Sequence, residues 1–389
     1  MRKLPVNLLK PGMIVARTVF GPDGQILLQK GVTLKPGYIK RLYELGIPAL
    51  YVASKWPEDM PEIEDVISDQ TRLAAIKLMK EIIGENQEKQ GIPSKVVIDT
   101  KKVRQVVNDI IDDLLGQREL MLNLADIRSL DDYTFCHSVN VCVLALMTGI
   151  TLGLSRSDLC HLGVGAILHD VGKIRVPLEI LNKPGPLTPE EFDIIRLHPE
   201  YGFEILSDYK EISKVSAHIA LEHHERYDGS GYPQGLKGSE CHEFARITGI
   251  VDVYDALTSD RIYRPAYAPH EAYELLAGCG NFRHDYHLVK AFLTNVAAYP
   301  VGTPVELNTG EVGLVIGNRR GYSHQPKIRL LSGEEIDLVT QHDRFIVRVL
   351  KEEEAERRRL EMAERVAEEL KVKGLAPGLE LGYNHVARR

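Results

Sequence analysis

ILHDVGK, Ile167 to Lys173, closes an apolar helical pattern (Leu162, Val164, Ile167, Leu168) with an imidazole, a carboxylate and an ammonium inside five positions. A helix that buries aliphatic side chains gains nothing from gathering such groups, because a buried charge is costly unless it is paired or bound to a metal. For a lone His-Asp pair, a helix that simply ends in polar residues is the better account. Neutral imidazole and carboxylate are also metal ligands, so the weight falls on whether partners exist elsewhere in the chain.

Four further clusters carry the same chemistry: His137 in TFCHSVNV, His198 in IRLHPEYG, His223 and His224 in LEHHERYDGSGYP, and Asp252 in ITGIVDVYDALTSDR. Each falls on or at the end of a helical segment, so helix packing can bring them to one point. With His169 and Asp170 the set holds five imidazoles and two carboxylates. That exceeds the roughly four to six ligands of a single ion. Two ions bridged by one carboxylate use all seven, and ion pairs about 3.5–4 Å apart serve in-line displacement at phosphorus. Mixed His and carboxylate ligation suits Fe, Mn or Zn and fits poorly with Mg or Ca, which prefer oxygen shells.

Outward from this constellation the pattern is mainly α. Residues 120 to 298 read as helix after helix and hold 11 of the 14 histidines, which marks them as the catalytic domain. Residues 1 to 55 are β-rich, with Pro22-Asp23-Gly24 between two apolar runs as in a hairpin. A helical connector follows over 56 to 119: apolar residues from Val66 to Ile82 and from Val103 to Leu114 keep helical spacing, separated by the linker-like GENQEKQGIPSK. Residues 299 to 349 return to strand-like runs around Asn-Thr-Gly and Ser-Gly turns, a second small β-module. From 350 to 389 the chain reads as a solvated charged helix and a loose tail.

The bulk composition narrows the function classes. A net charge of -7 and a pI near 6.1 disfavour nucleic acid and acidic membrane surfaces as partners. Cys136, Cys142, Cys160, Cys241 and Cys279 are odd in number and form no C-x-x-C pair, which reads as reduced thiols in a cytoplasm. The basic start MRKLPVNLLKPG is interrupted by Pro5, Asn7, Lys10 and Pro11, so no export signal is expected. The longest uncharged run, Ser138 to Ser155, is 18 residues, but Asn140, Gly149 and Gly153 break it, which favours a buried core helix and a turn over membrane insertion.

HDVGK with KPGPLTPEE, HPEYG, HHERYDGSGYP and ARITGIVDVYDALTSDR, in this order and spacing, resembles the HD-GYP subgroup of HD-domain metal phosphohydrolases over about residues 130 to 298. The resemblance implies an all-helical HD-type catalytic domain, here flanked by small β-rich N-terminal and C-terminal modules. It implies hydrolysis of the second messenger cyclic di-GMP to linear pGpG, often onward to GMP, at a binuclear, sometimes trinuclear, iron or manganese centre. Carried over residue by residue, His137, His169 and Asp252 would hold one metal, and Asp170 would bridge to a second held by His198, His223 and His224. Lys173 would face the phosphate, where its charge offsets what develops in the transition state. Arg261 and Arg264 match the family's phosphate-contacting pair. Gly231, Tyr232 and Pro233 form the name-giving loop, with Tyr232 placed to stack on a guanine or a partner.

Departures refine these expectations. Tyr133 stands where members with a third metal carry Glu, so two metals are expected, with Asp255 a further candidate donor. Ile262 replaces a Pro of the family pattern and FRHDYHLV replaces an FDP-like stretch; both lie off the ligand set. His218, His242, His284 and His287 are read as structural or surface residues. A GGDEF-domain cyclase and a second copy of the chain are the macromolecular partners the family suggests. Two other readings compete: an HD-type hydrolase for another cyclic nucleotide or dinucleotide, and a non-catalytic cyclic di-GMP sensor that docks such a cyclase.

Overall fold

A computed structural model describes residues 2–21, 25–45, 47, 49–53, 65–87, 96–117, 133–259 and 266–372. The chain divides into two compact units, Met1–Pro300 with Arg319–Ser323, and Val301–Asn318 with His324–Arg389.

The first unit opens with β1 (Arg2–Pro5), β2 (Val19–Phe20), β3 (Ile26–Leu28), α1 (Pro36–Glu44) and β4 (Ala49–Val52). The strands pair antiparallel, β1 with β4 and β2 with β3. The hairpin expected around Pro22-Asp23-Gly24 therefore forms, although its turn lies outside the described residues. Val15, Val19, Leu34, Leu42, Leu50 and Val52 close a separate small core.

Eleven further helices follow among the described residues of the chain's first 300: α2 (Asp69–Gln87), α3 (Thr100–Gly116), α4 (Tyr133–Thr151), α5 (Arg156–Ile167), α6 (Leu178–Leu181), α7 (Pro189–Ile195), α8 (His198–Ser207), α9 (Lys214–Glu222), α10 (Glu243–Leu257), α11 (Pro269–Gly278) and α12 (Tyr286–Leu293). The first of them starts at Asp69, later than the apolar spacing from Val66 suggested; Val66 and Ile67 are buried ahead of it. Side-chain caps fix several starts. The Ser155 and Ser213 hydroxyls accept the backbone N–H groups of Asp158 and Ser216, and Thr188 with Glu191 forms a reciprocal capping box. Each such cap contributes about 1 kcal/mol.

One continuous core joins the connector helices to the rest: Val107, Ile110 and Leu114 of α3 belong to the same buried cluster as Leu146, Leu162, Ile219 and Tyr254. The uncharged run 138–155 is the buried α4 and its turn, and no helix among the described residues is long and apolar enough to cross a membrane. GENQEKQGIPSK lies largely outside the described residues.

The second unit is an antiparallel sheet of β5 (Pro304–Leu307), β6 (Val312–Gly317), β7 (Lys327–Leu330), β8 (Glu335–Asp337) and β9 (Ile346–Val349), in spatial order β8-β7-β6-β5-β9. The charged helix, α13 (Glu352–Val372), is only partly the solvated element its composition suggests. Its first turn packs Ala355 against Val312 and Leu350, and Glu354 and Arg358 pair with Arg348 and Glu306 of the sheet. Farther along, Leu360 stands exposed. The terminal tail beyond residue 372 lies outside the described residues.

Candidate metal centre

The seven donors come from five places in the chain and meet in the first unit. His137 lies on α4, His198 opens α8, His223 caps α9 with His224 next to it, and Asp252 sits on α10. His169 and Asp170 occupy the turn after α5, which leads into a 3-10 segment, Val171–Arg175. Two ligand groups result: Asp170, His198, His223 and His224 in one, His137, His169 and Asp252 in the other, with the donor atoms of each group within 4.8 Å of one another. Asp170 lies between them. Its Oδ1 is 3.3 Å from His198 Nε2 and 3.8 Å from His223 Nε2, while Oδ2 is 3.3 Å from His169 Nε2 and 3.8 Å from His137 Nε2.

This convergence depends on backbone approach. A Cβ on Gly172 would collide with the His198 carbonyl and the Gly202 backbone, so only glycine lets the HDVGK turn seat against α8. A Cβ on Gly231 would likewise run into the backbone of His224, Glu225 and Arg226.

The imidazoles are aimed by bonds that sequence reading missed. The Nδ1 atoms of His169, His198 and His223 lie 2.8, 2.7 and 2.9 Å from the carbonyls of Ala166, Ile195 and Ala220, each three residues upstream. A carbonyl only accepts, so each Nδ1–H donates and the Nε2 lone pair is left facing the cluster. His137 uses a carboxylate instead: its Nδ1 is 2.7 Å from Asp255 Oδ2. Asp255 is thus seen orienting a ligand. Its spacing from Asp252 on one helix was the available signal.

Electrostatics keeps His223, His224 and Asp170 in ligand form and treats His137 differently. Burial drives His223 and His224 down, leaving both imidazoles neutral. Burial raises Asp170, but Lys173 and His169 outweigh it and hold the carboxyl well below its ordinary range. Burial lowers His137, yet Asp252 and Asp255 outweigh it and keep a proton on the ring. The Nε2 of that ring points at Asp252 (3.2 Å) and Asp170 (3.8 Å), two carboxylates that face the same candidate cation position. His169 Nε2 and Asp170 Oδ1 are buried without a hydrogen-bond partner. Buried polar atoms are rarely left so unless an ion or water is missing. The residues present therefore fit bound transition metal ions.

Around the donors, Lys173 and Tyr232 have partners within the chain. Lys173 follows Asp170 on a 3-10 turn, where i and i+3 eclipse, and its Nζ lies 2.5 Å from Asp170 Oδ2 with a third of the side chain exposed. Tyr232 stacks on His224, ring centroids 4.7 Å apart, and the Arg196 guanidinium sits 4.8 Å from the Tyr232 centroid. Its partner is thus the imidazole of a candidate ligand. The loop is held by Glu225, whose buried carboxylate accepts the backbone N–H groups of Gln234 (2.7 Å), Gly235 (3.1 Å) and Leu236 (3.0 Å). His218 pairs with Glu222, and His242 accepts the Phe244 N–H at the start of α10, both structural roles as expected. Arg261, Arg264 and Ile262, and the side chain of Tyr133, lie outside the described residues.

A helical scaffold that gathers His and Asp donors into two adjoining groups defines a metal-site protein of the HD type. The HD domain family matches residues 106–286, beginning within α3, and a KOW domain associated with HD domains matches residues 304–358. The chain is 31% identical to "Cyclic di-GMP phosphodiesterase PA4108" of Pseudomonas aeruginosa, across 85% of each chain. It is 43% identical to "Cyclic di-GMP phosphodiesterase response regulator RpfG" of Xanthomonas campestris, across 36% of this chain and 38% of that one. It is 37% identical to "3'3'-cGAMP-specific phosphodiesterase 2" of Vibrio cholerae, across 48% of this chain and 36% of the relative. The chain belongs to the HD-GYP-type family of HD-domain phosphodiesterases.

Proposed function

We propose that this chain hydrolyses cyclic di-GMP to linear pGpG at a binuclear centre of iron or manganese. The observation that carries the reading is Asp170, buried between two complete ligand groups, with one of its own oxygens and His169 Nε2 left unpaired. His137, His169 and Asp252 would hold one ion, His198, His223 and His224 the other, and Asp170 both. Such an ion pair supplies Lewis-acid charge stabilisation and an activated water for displacement at phosphorus.

The chain's own residues do the rest. The Nδ1 bonds hold the imidazole rings in place, so little reorganisation is needed when charge develops. Lys173 keeps Asp170 ionised and adds positive charge beside the reacting phosphoryl group. Arg261 and Arg264 clamp the substrate phosphates, and the Gly231, Tyr232, Pro233 loop closes one side of the site. We keep 1–55, 56–119, 120–298, 299–349 and 350–389 as working boundaries, although the HD match begins at residue 106, inside the second, and the KOW match runs to residue 358, past the fourth. A cytoplasmic setting accords with the five free thiols.

The similarity to a cGAMP-specific enzyme favours one second reading, a mixed cyclic dinucleotide as substrate. A sensor without catalysis has no comparable support, because all seven donors are present. The test is anaerobic loading with iron or manganese, followed by metal analysis and turnover of cyclic di-GMP, 3'3'-cGAMP and cyclic di-AMP on one sample. Two ions per chain and highest kcat/KM for cyclic di-GMP are expected. No more than one ion sinks the binuclear centre, and faster turnover of cGAMP reverses the substrate assignment.

A further inference from the structure

A file of buried polar groups runs from the ligand His137 to the β-rich N-terminal segment. Asp255 accepts from His137 with one oxygen (2.7 Å) and from Asn140 Nδ2 with the other (3.1 Å). Asn140 Oδ1 in turn accepts from Arg72 Nη1 on α2 (3.0 Å). The remaining face of Arg72 forms a fork with Asp65, Nε to Oδ2 at 2.9 Å and Nη2 to Oδ1 at 3.0 Å. Asp65 Oδ2 also accepts from Arg17 Nη2 at 2.5 Å, and Arg17 lies between β1 and β2. Asn140 and Asp255 are buried, and less than a fifth of the side chains of Asp65, Arg72 and Arg17 is exposed.

The order of donors and acceptors gives this file a direction. Guanidinium only donates, so Arg72 forces the amide oxygen of Asn140 toward itself and turns the NH2 group toward Asp255. With one oxygen so engaged, Asp255 presents the other to His137 Nδ1, which must carry the proton. The Nε2 of His137 is thereby directed at the cation position. Without Arg72 the Asn140 amide is free to flip, which sets an acceptor against Asp255 and loosens the ring. Outer partners of this kind commonly change metal affinity by about 10- to 100-fold.

We propose that Arg72 is a positioning residue for the metal centre, acting through Asn140 and Asp255 on His137, and that Arg17 and Asp65 tie the N-terminal β-rich segment to the affinity of that half of the site. The proposal rests on the metal-centre reading above. A merely structural Arg72 would lower stability and weaken both ions alike, whereas this file touches only the group of His137, His169 and Asp252.

The test measures stepwise Mn2+ affinities of the full chain by anaerobic calorimetry with chelator competition, alongside thermal unfolding without metal. Arg72→Met is expected to weaken one of the two ions by about 10- to 100-fold and leave the other within about twofold. Asn140→Leu should do the same, and the double variant should be no worse than Asn140→Leu alone, because the two act in series. Arg72→Lys, which keeps the charge without the fork, should recover part of the loss, and Arg17→Met should give a smaller loss at the same ion. Equal weakening of both ions by Arg72→Met, or additive losses in the double variant, overturns the file as a positioning device. An unchanged Arg17→Met overturns the part assigned to the N-terminal segment. Wild-type chain that binds no Mn2+ overturns the metal-centre reading itself.

Discussion

Replacing Glu225 by Gln changes almost no volume but disarms the loop that carries Tyr232. The carboxylate accepts three backbone N–H groups, two on Oε1 from Gln234 and Gly235 and one on Oε2 from Leu236. If the Gln carbonyl oxygen takes the first two, its NH2 faces the Leu236 N–H, donor against donor. Bonds to a charged acceptor contribute about 1.5–3 kcal/mol and neutral ones about 0.5–1.5 kcal/mol, so two weakened bonds lose about 1 kcal/mol each. The third bond is lost and leaves a donor unsatisfied, a further cost of about 1–3 kcal/mol. The sum is about 3–5 kcal/mol, or two decades and more in the loop's opening equilibrium.

Amide hydrogen exchange in the full chain reads this directly. Exchange at Gln234, Gly235 and Leu236 should quicken by about 100-fold or more, while core amides such as those of Leu146 and Leu162 keep their protection. Turnover should fall in parallel, because Tyr232 stacks on the candidate ligand His224 from the same loop. Unchanged protection at the three amides would refute the claim that Glu225 holds the loop.

Asp170→Ala should abolish hydrolysis with the fold intact by circular dichroism; activity within about tenfold of wild type, a barrier change of only about 1.4 kcal/mol, would rule out its bridging role. Lys173→Ala should keep its metal content and lose kcat, and loss of metal instead would show that the ammonium serves the ligand set through Asp170. Arg261→Ala should chiefly raise KM, with unchanged kinetics counting against a phosphate clamp. Asp65 bears on stability: burial raises its pKa, but Arg72 and Arg17 outweigh this and bring it down to about 2. A depressed folded-state value stabilises above the unfolded pKa and is lost as pH falls, so Asp65→Asn should cost at most about 2.5 kcal/mol at pH 7. That difference should shrink between about pH 4 and pH 2 in denaturant melts, and a gap independent of pH would exclude the ion pair as its source.

Much of the site was legible in the chain order because ligand chemistry restricts residue type. Only a few side chains bind transition metals, and seven of them recur on or at the ends of helical segments in TFCHSVNV, HDVGK, HPEYG, HHERYDGSGYP and IVDVYDALTSDR. Their division into two groups about Asp170 matches the carried-over assignment. The helical and β-rich segments were legible for a related reason: apolar spacing of about 3.6 or 2 residues is local, and α3 buries Val103, Val107, Ile110, Ile111 and Leu114 as their spacing requires.

What only the tertiary structure decided were contacts between residues far apart in the chain. Asp255 meets His137 across 118 positions and Arg72 meets Asn140 across 68, and no period or motif encodes such pairs. Lys173 turned toward Asp170 because the chain tightened into a 3-10 turn after α5, a choice fixed by the seating of Gly172 on the backbone of α8. Tyr232 found His224 for the same kind of reason, through Glu225 gathering the backbone of its loop. Residue type fixed which atoms can bind a cation, whereas the aim of His137 is set by partners that the packing of α2, α4 and α10 supplies, and that of His169, His198 and His223 by backbone carbonyls one turn upstream.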